Sequence, residues 1–482
     1  MVGGGRAAGV LLGTLLAVAV ATAPAAVTAP AASAAVPGPP APDPSLLAGL
    51  DPTPSPLPGA QQRVACVSPL GDASGEDAGT GLGDGAGPGA SSWAQERLRI
   101  TDAWRWGRGA GQTVAVIDTG VAPHPRLAGR LVDGGDFVGP GRTGTTDCDG
   151  HGTLVAGIVA AAPDPSSGPG GFVGVAPEAR VLAIRQSSAT VVAGGRTDPG
   201  AGDVVTLARA VLHAVDLGAT VVNVSEAACL PAAVAPRVLA PLRAAIRAAV
   251  DRDVVVVAAA GNAGSGACVQ SDPSGTAEDD PARRDQIVAP AWFGDDVLSV
   301  GYVGQDGRPS PRTVRGPWVS VAAPGTDVVS LSPTGPGLVD RVQAAGARTG
   351  DPAGSPIEGS SFAAPYVAGM AALVRARFPD LTAREVTARI VATAQATGPR
   401  DDAVGGGIVD PVAALSTPVV TAAGNPAGAS DNGGPGRVDL AGSGDADSGA
   451  RAVALIGTAG AVVLGGVVLG AVVLARRARR PR

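Results

Sequence analysis

Two hydrophobic periods alternate through the middle of this chain, and that alternation constrains the fold more than any other feature. Short runs rich in β-branched residues cover 113–117, 181–184, 220–224, 254–260 and 297–302. Stretches of ten or more residues with helical spacing cover 151–161, 204–216, 237–251, 361–378 and 383–394. Strands separated by helices pair in parallel, and a parallel sheet needs helices on both faces. The expectation is one α/β domain with such a sheet, preceded by a short helix over 93–104 that carries Trp93, Leu98, Ile100 and Trp104.

The ends set the compartment. Residues 1–34 hold Arg6, an apolar stretch over 8–20 and the small-residue sequence Ala32-Ser33-Ala34, the layout of a secretory signal peptide. Residues 35–92 are a Pro/Gly-rich extension in which so many positions lack an amide hydrogen that 36–60 is expected to be extended, without regular structure. The folded domain occupies 93–417, and 418–451 reads as a flexible tether. Residues 452–475 carry no charge and would measure about 36 Å as a helix, enough to cross a hydrocarbon core of about 30 Å. The tail 476–482 holds five arginines, which keep it cytoplasmic and place the folded domain on the other side. Gly466 and Gly470 would permit close contact with another helix in the membrane.

Net charge is −6 and all 36 basic residues are arginine, so a basic nucleic-acid surface is not expected. Four cysteines, Cys66, Cys148, Cys229 and Cys268, suggest two disulfides in an exported chain, with three pairings open. No CxxC spacing points to zinc, and Asp147 and Asp149 beside Cys148 are expected to face water, so no metal or cofactor is anticipated. Gly107, Gly109 and Gly111 precede the first strand instead of following it, which excludes a nucleotide fingerprint. His124 and His213 are expected to take packing roles.

In a parallel sheet the carboxyl ends of strands and the amino ends of helices gather on one edge. Three side chains fall there: Asp118 at the end of the first strand, His151 opening a helix in Asp149-Gly150-His151-Gly152-Thr153, and Ser361 opening another in Gly359-Ser360-Ser361-Phe362. A serine hydroxyl is a poor nucleophile until an imidazole takes its proton, and that imidazole needs a carboxylate to fix its tautomer. The adjacent glycines are expected to leave room for a substrate backbone. Pro365 is expected within the first turn after Ser361, where its missing amide costs little. Asn262, after the run 254–260, can donate to a developing oxyanion together with the helix amino end. An aspartic-protease reading of Asp118-Thr119-Gly120 fails, because the second such signature, Asp447-Ser448-Gly449, lies in the tether.

VAVIDTGV at 114–121, DGHGTLVAGI at 149–158, AAGNAG at 259–264 and GSSFAAPYVAG at 359–369 together resemble the subtilisin-like serine proteases. That resemblance implies Asp118 as orienting acid, His151 as general base and acid, Ser361 as nucleophile, Asn262 as oxyanion donor, and Ser225, Glu226 and Ala227 as a substrate-lining segment. The last reads Ser-Glu-Ala where the family usually has Ser-Leu-Gly. Ser360 stands where it usually has threonine. The proline-rich extension, Trp93-Ala94-Gln95, APAWF at 289–293 and the C-terminal span with its Arg tail narrow the resemblance to the mycosins, membrane-anchored proteases of type VII secretion systems. It implies an extension that wraps the catalytic domain, disulfides Cys66 to Cys148 and Cys229 to Cys268, a protein or peptide substrate, and association with the secretion membrane complex. A structural component of that complex, with proteolysis secondary, is the alternative.

Overall fold

The computed structural model describes residues 38–67, 92–139, 142–165, 171–195, 200–270, 286–342, 354–396 and 398–418. All of these belong to one unit, 1–419, of the two into which the chain divides. The expected signal peptide, the membrane span 452–475, the tail 476–482 and all of the tether beyond residue 418 lie outside the described residues.

Every position of Thr113–Asp118 (β1) is buried, and a strand buried on both faces needs cover on both. β1 lies inside a seven-stranded parallel sheet with Leu131–Asp136 (β2), Arg180–Arg185 (β3), Val221–Val224 (β4), Val255–Ala259 (β5), Leu298–Val303 (β6) and Val321–Pro324 (β7). The order across the sheet is β7-β6-β5-β4-β1-β3-β2. Alternate residues face opposite ways. Val114 and Val116 join one cluster with Phe362, Val367 and Met370, while Ala115 and Ile117 join another with Leu207, Val211, Leu239 and Ile246.

Among the helices that feed these two clusters are α1 (Trp93–Leu98), α2 (His151–Ala160), α3 (Val204–Asp216), α4 (Ala235–Asp251), α5 (Ser360–Arg377) and α6 (Ala383–Ala392). α2 and α5 pack together on the first face, and α3 and α4 pack together on the second. α5 is apolar around most of its circumference because the sheet, α2 and α6 enclose it. β1 is flanked by β3 and β4, so the chain leaves it toward both edges of the sheet and a crevice opens at its carboxyl end.

Three local expectations differ from the fold. The sequence marks neither β2 nor β7 as a strand: β2 reads LVDGGD and lacks an apolar run, and β7, though apolar, is only four residues ending in Pro324. Pairing with β3 and β6 supplies what propensity lacks. The helix expected over 93–104 breaks at Arg99, whose left-handed backbone (φ 49°) separates α1 from a single turn, Ile100–Ala103.

The extension is also more regular than its prolines suggest. Pro44–Gly49 forms a 3₁₀ helix capped by Asp43, and Gln61–Gln62 pairs antiparallel with Val191–Val192. Proline removes amide donors but leaves carbonyl acceptors. Arg209 on α3 exploits them, donating to the carbonyls of Asp51 (2.6 Å) and Thr53 (2.8 Å) and to Ser55 Oγ (2.8 Å). Leu50 is buried against the α3 and α4 cluster, and a Cys66–Cys148 disulfide ties the end of this segment to the loop before α2.

Candidate active site

Asp118 closes β1 with its side chain fully buried, and His151 opens α2. Imidazole Nδ1 lies 2.7 Å from Asp118 Oδ1, which also accepts the Thr119 amide at 2.8 Å. A carboxylate can only accept, so Nδ1 carries the proton and Nε2 is left for the cleft. Burial opposes the imidazolium, but the charge and hydrogen bond of Asp118 outweigh it, and His151 titrates above the ordinary histidine value of 6.5.

The loop that delivers His151 is held by Asp147, contrary to the expectation that this residue faces water. Its Oδ1 accepts Thr119 Oγ1 (2.9 Å) and the Gly150 amide (2.7 Å), and its Oδ2 accepts the Thr153 amide (2.8 Å) and Thr153 Oγ1 (2.5 Å). Burial raises its carboxyl above the usual range despite these donors. Asp149 likewise accepts Ser188 Oγ (2.6 Å) and the Ala189 amide (2.7 Å), joining the loop to the adjoining wall. Gly152 does not make room for substrate: a Cβ there would meet the Gly120 carbonyl at 2.0 Å, so glycine permits α2 to approach the turn after β1.

Ser361 is the second residue of α5 and faces the same cleft as His151. The Phe362 ring stands 5.0 Å from the imidazole centroid. No hydrogen bond joins Ser361 to His151 among the described residues; such contacts commonly close only when substrate is bound. Gly359 (φ 144°) precedes them, and a Cβ there would sit 2.9 Å from Asn262 Nδ2 and 3.1 Å from Ser361 Oγ. Asn262 Nδ2 therefore adjoins the serine. Its Oδ1 accepts both the amide (2.8 Å) and hydroxyl (2.9 Å) of Ser360, whose Oγ accepts the Gly261 amide at 3.0 Å. Ser360 thus fixes which end of the carboxamide points at the cleft, a role visible in sequence only as a second hydroxyl beside Ser361. Pro365 is the sixth residue of α5, beyond the first turn, and its missing amide removes the i+4 donor to the Ser361 carbonyl.

Ser225, Glu226 and Ala227 follow β4 and line the same cleft, of about 750 Å³, with Ser187, Ser188 and Ala189 after β3. Glu226 accepts the Ser187 hydroxyl. Burial, then the facing charge of Asp118, pushes its carboxyl up to about 7. A Cys229–Cys268 disulfide joins the stretch after Ala227 to the stretch after Asn262. Both disulfides thus have the pairing that the resemblance implies. His124 and His213 are packed away from the cleft, the former buried with Nδ1 accepting the Arg126 amide (3.1 Å), the latter edge-on to Phe137. Among the described residues no group of three or more His, Cys, Asp or Glu side chains could hold a metal ion.

An imidazole oriented by a buried carboxylate, sharing a cleft with a serine at a helix amino end on this sheet, defines a subtilisin-like serine endopeptidase. The subtilase family matches residues 109–437. Mycosin-4 of Mycobacterium tuberculosis is 51% identical over 332 residues, which cover 67% of this chain and 69% of that protein. Among solved structures, MycP1 from the ESX-1 type VII secretion system has a TM-score of 0.68 at 39% identity, covering 79% of this chain and 96% of its own. A chain of the intact ESX-5 inner membrane complex has a TM-score of 0.67 at 38% identity, covering 90% of this chain and 100% of its own. The chain belongs to the subtilase family and, within it, to the mycosins.

Proposed function

We propose that this endopeptidase is membrane-anchored, works within a type VII secretion complex and hydrolyses secreted or envelope proteins. Ser361 Oγ attacks the scissile carbonyl while His151 Nε2 takes its proton and later returns it to the leaving amine. Asp118 holds the imidazole, and Asn262 Nδ2 with the first amides of α5 stabilises the oxyanion. Ser225, Glu226 and Ala227 form a wall of the substrate cleft. The observation that carries this reading is the 2.7 Å contact between His151 and Asp118 beside Ser361. Incubating the full chain with a fluorophosphonate probe should label Ser361; a folded sample that takes up no label would defeat the reading.

The anchoring half rests on the uncharged run 452–475 with its Arg tail, the signal-like residues 1–34, and two disulfides, which persist outside the cytoplasm. On this reading the peptidase domain spans 93–417 and lies on the extracytoplasmic side. Protease accessibility of the domain in intact cells, with the tail protected, is the expected result.

A scaffold role is favoured by one further observation, the likeness to a chain of the ESX-5 inner membrane complex. Ser361→Ala separates the two: complex size and secretion retained with cleavage lost indicates an independent structural role, and loss of all three indicates that proteolysis underlies assembly. Peptide mapping of secreted proteins from the same strains would name the substrate.

A further inference from the structure

We propose that Glu226 selects substrate by taking a cationic side chain, Arg or Lys, close to the scissile bond, an assignment that rests on the protease reading. The most buried carboxylates of the described residues are compensated, and so is Asp253. Asp136 meets Arg185 at 2.9 Å, Asp253 meets Arg375 at 2.7 Å, Asp410 meets Arg99 at 3.3 Å, and Asp296 meets Arg243 and Arg384. Asp118 faces His151. Asp147 lacks a cation but accepts four hydrogen bonds. Glu226 is compensated less: it accepts one hydroxyl, from Ser187, forms no ion pair among the described residues, and feels the charge of His151, which Asp118 already engages.

An ionised carboxylate offers about four acceptor sites; Ser187 fills one, and the others are left for what enters the cleft. The neighbouring charges oppose its ionisation, because Asp118 and Asp149 face the same group and His151 is the cation they share. Asp149 cannot serve as a second ligand in the same way, since both of its oxygens accept donors from Ser188 and Ala189.

Position turns this deficit into a binding property. Glu226 lines the open cleft, flanked by Ser187, Ala189, Ser225 and Ala227, which are all small enough to leave space for a long side chain. No arginine occurs among the described residues that line the cleft. The family's usual leucine at this place would make an apolar wall; here the wall carries a carboxylate with acceptor sites to spare. An Arg or Lys of a bound peptide supplies charge-assisted hydrogen bonds to it, while an acidic side chain meets like charge.

The test uses the full chain and internally quenched octapeptides in which each position carries in turn Arg, citrulline, Ala or Glu. Citrulline keeps the shape of arginine without its charge. At one position Arg should exceed citrulline in kcat/KM by about tenfold or more, with Glu poorest. Glu226→Gln should remove that ratio, and Glu226→Arg should rank Glu above Arg. Fluorophosphonate labelling of Ser361 accompanies every measurement. A labelled wild type that treats Arg and citrulline alike at all positions overturns the proposal and leaves the protease reading standing. Arg preference that survives in labelled Glu226→Gln also overturns it. A folded wild type that takes no label removes the protease reading and this one with it. Where a variant fails to label, the wild-type ratio of Arg to citrulline decides alone.

Discussion

The two walls of the cleft differ in what their polar groups meet. On the catalytic wall His151 is matched to Asp118, Asp147 accepts four donors, and Asn262 is held by Ser360. On the facing wall Glu226 accepts a single hydroxyl, forms no ion pair among the described residues, and has only the charge of His151, which Asp118 already engages, to favour its ionised form. Preorganised dipoles accelerate chemistry because they need no rearrangement as charge develops. A carboxylate with spare acceptor sites in an open cleft does the opposite job and waits for a partner that substrate brings. The contrast predicts that substitutions on the first wall slow every peptide alike, whereas those on the second reorder them.

The largest effect belongs to Ser361→Ala, which should remove fluorophosphonate labelling and lower kcat by about 10⁶-fold, the scale of nucleophile loss in a subtilisin. Stopped peptide assays at high enzyme concentration measure it. A residual rate within tenfold of wild type would place the nucleophile elsewhere.

Asp118→Asn should cost about 10⁴-fold in kcat, because the carboxamide admits the wrong imidazole tautomer. Its pH profile gives a sharper test. His151 acts as base only when neutral, so kcat/KM rises as pH passes its pKa. Asp118 holds that pKa above 6.5, which puts the acid limb above pH 6.5 in the wild type. Removing the facing charge should shift the limb to lower pH, and an unmoved limb would break the assigned pairing.

Asn262→Ala removes one oxyanion donor and should lower kcat by about 10²- to 10³-fold with KM little changed. Ser360→Ala leaves the carboxamide in place but takes away one hydroxyl that orients it, so about a tenfold loss is expected in steady-state kcat. Selectivity across Arg, citrulline and Glu peptides should stay constant in both. If either changes the ranking, the division of labour between the walls is wrong.

Much of the site was legible because each member sits in a short local signature: an acid ending an apolar strand, a histidine between glycines, two serines before a helical run. Asp147 was misread for a physical reason. Its carboxylate is visible in sequence, but its donors come from Thr119 and Thr153 as well as the local Gly150, and only folding gathers them. Gly152 was misread similarly, since the atom that excludes a side chain there is the carbonyl of Gly120. β2 and β7 escaped notice because a strand of little apolar character, LVDGGD, and one of only four residues ending in proline become strands only through their neighbours. The extension looked featureless because proline conceals its capacity to accept hydrogen bonds from Arg209.

By itself the sequence determined five of the seven strands of the sheet and the helices that cover it, because hydrophobic period is a local property that each such strand and helix carries along its own length. It also determined the inventory of chemistry: one serine beside a helix start, one histidine among glycines, one acid at a strand end. Which charges and donors meet was decided only by the tertiary structure. Asp118 and His151 are 33 residues apart, and Glu226 and Ser187 are 39 apart. Electrostatic and hydrogen-bond energies depend on distance in space and on exclusion of water, neither of which is written along the chain.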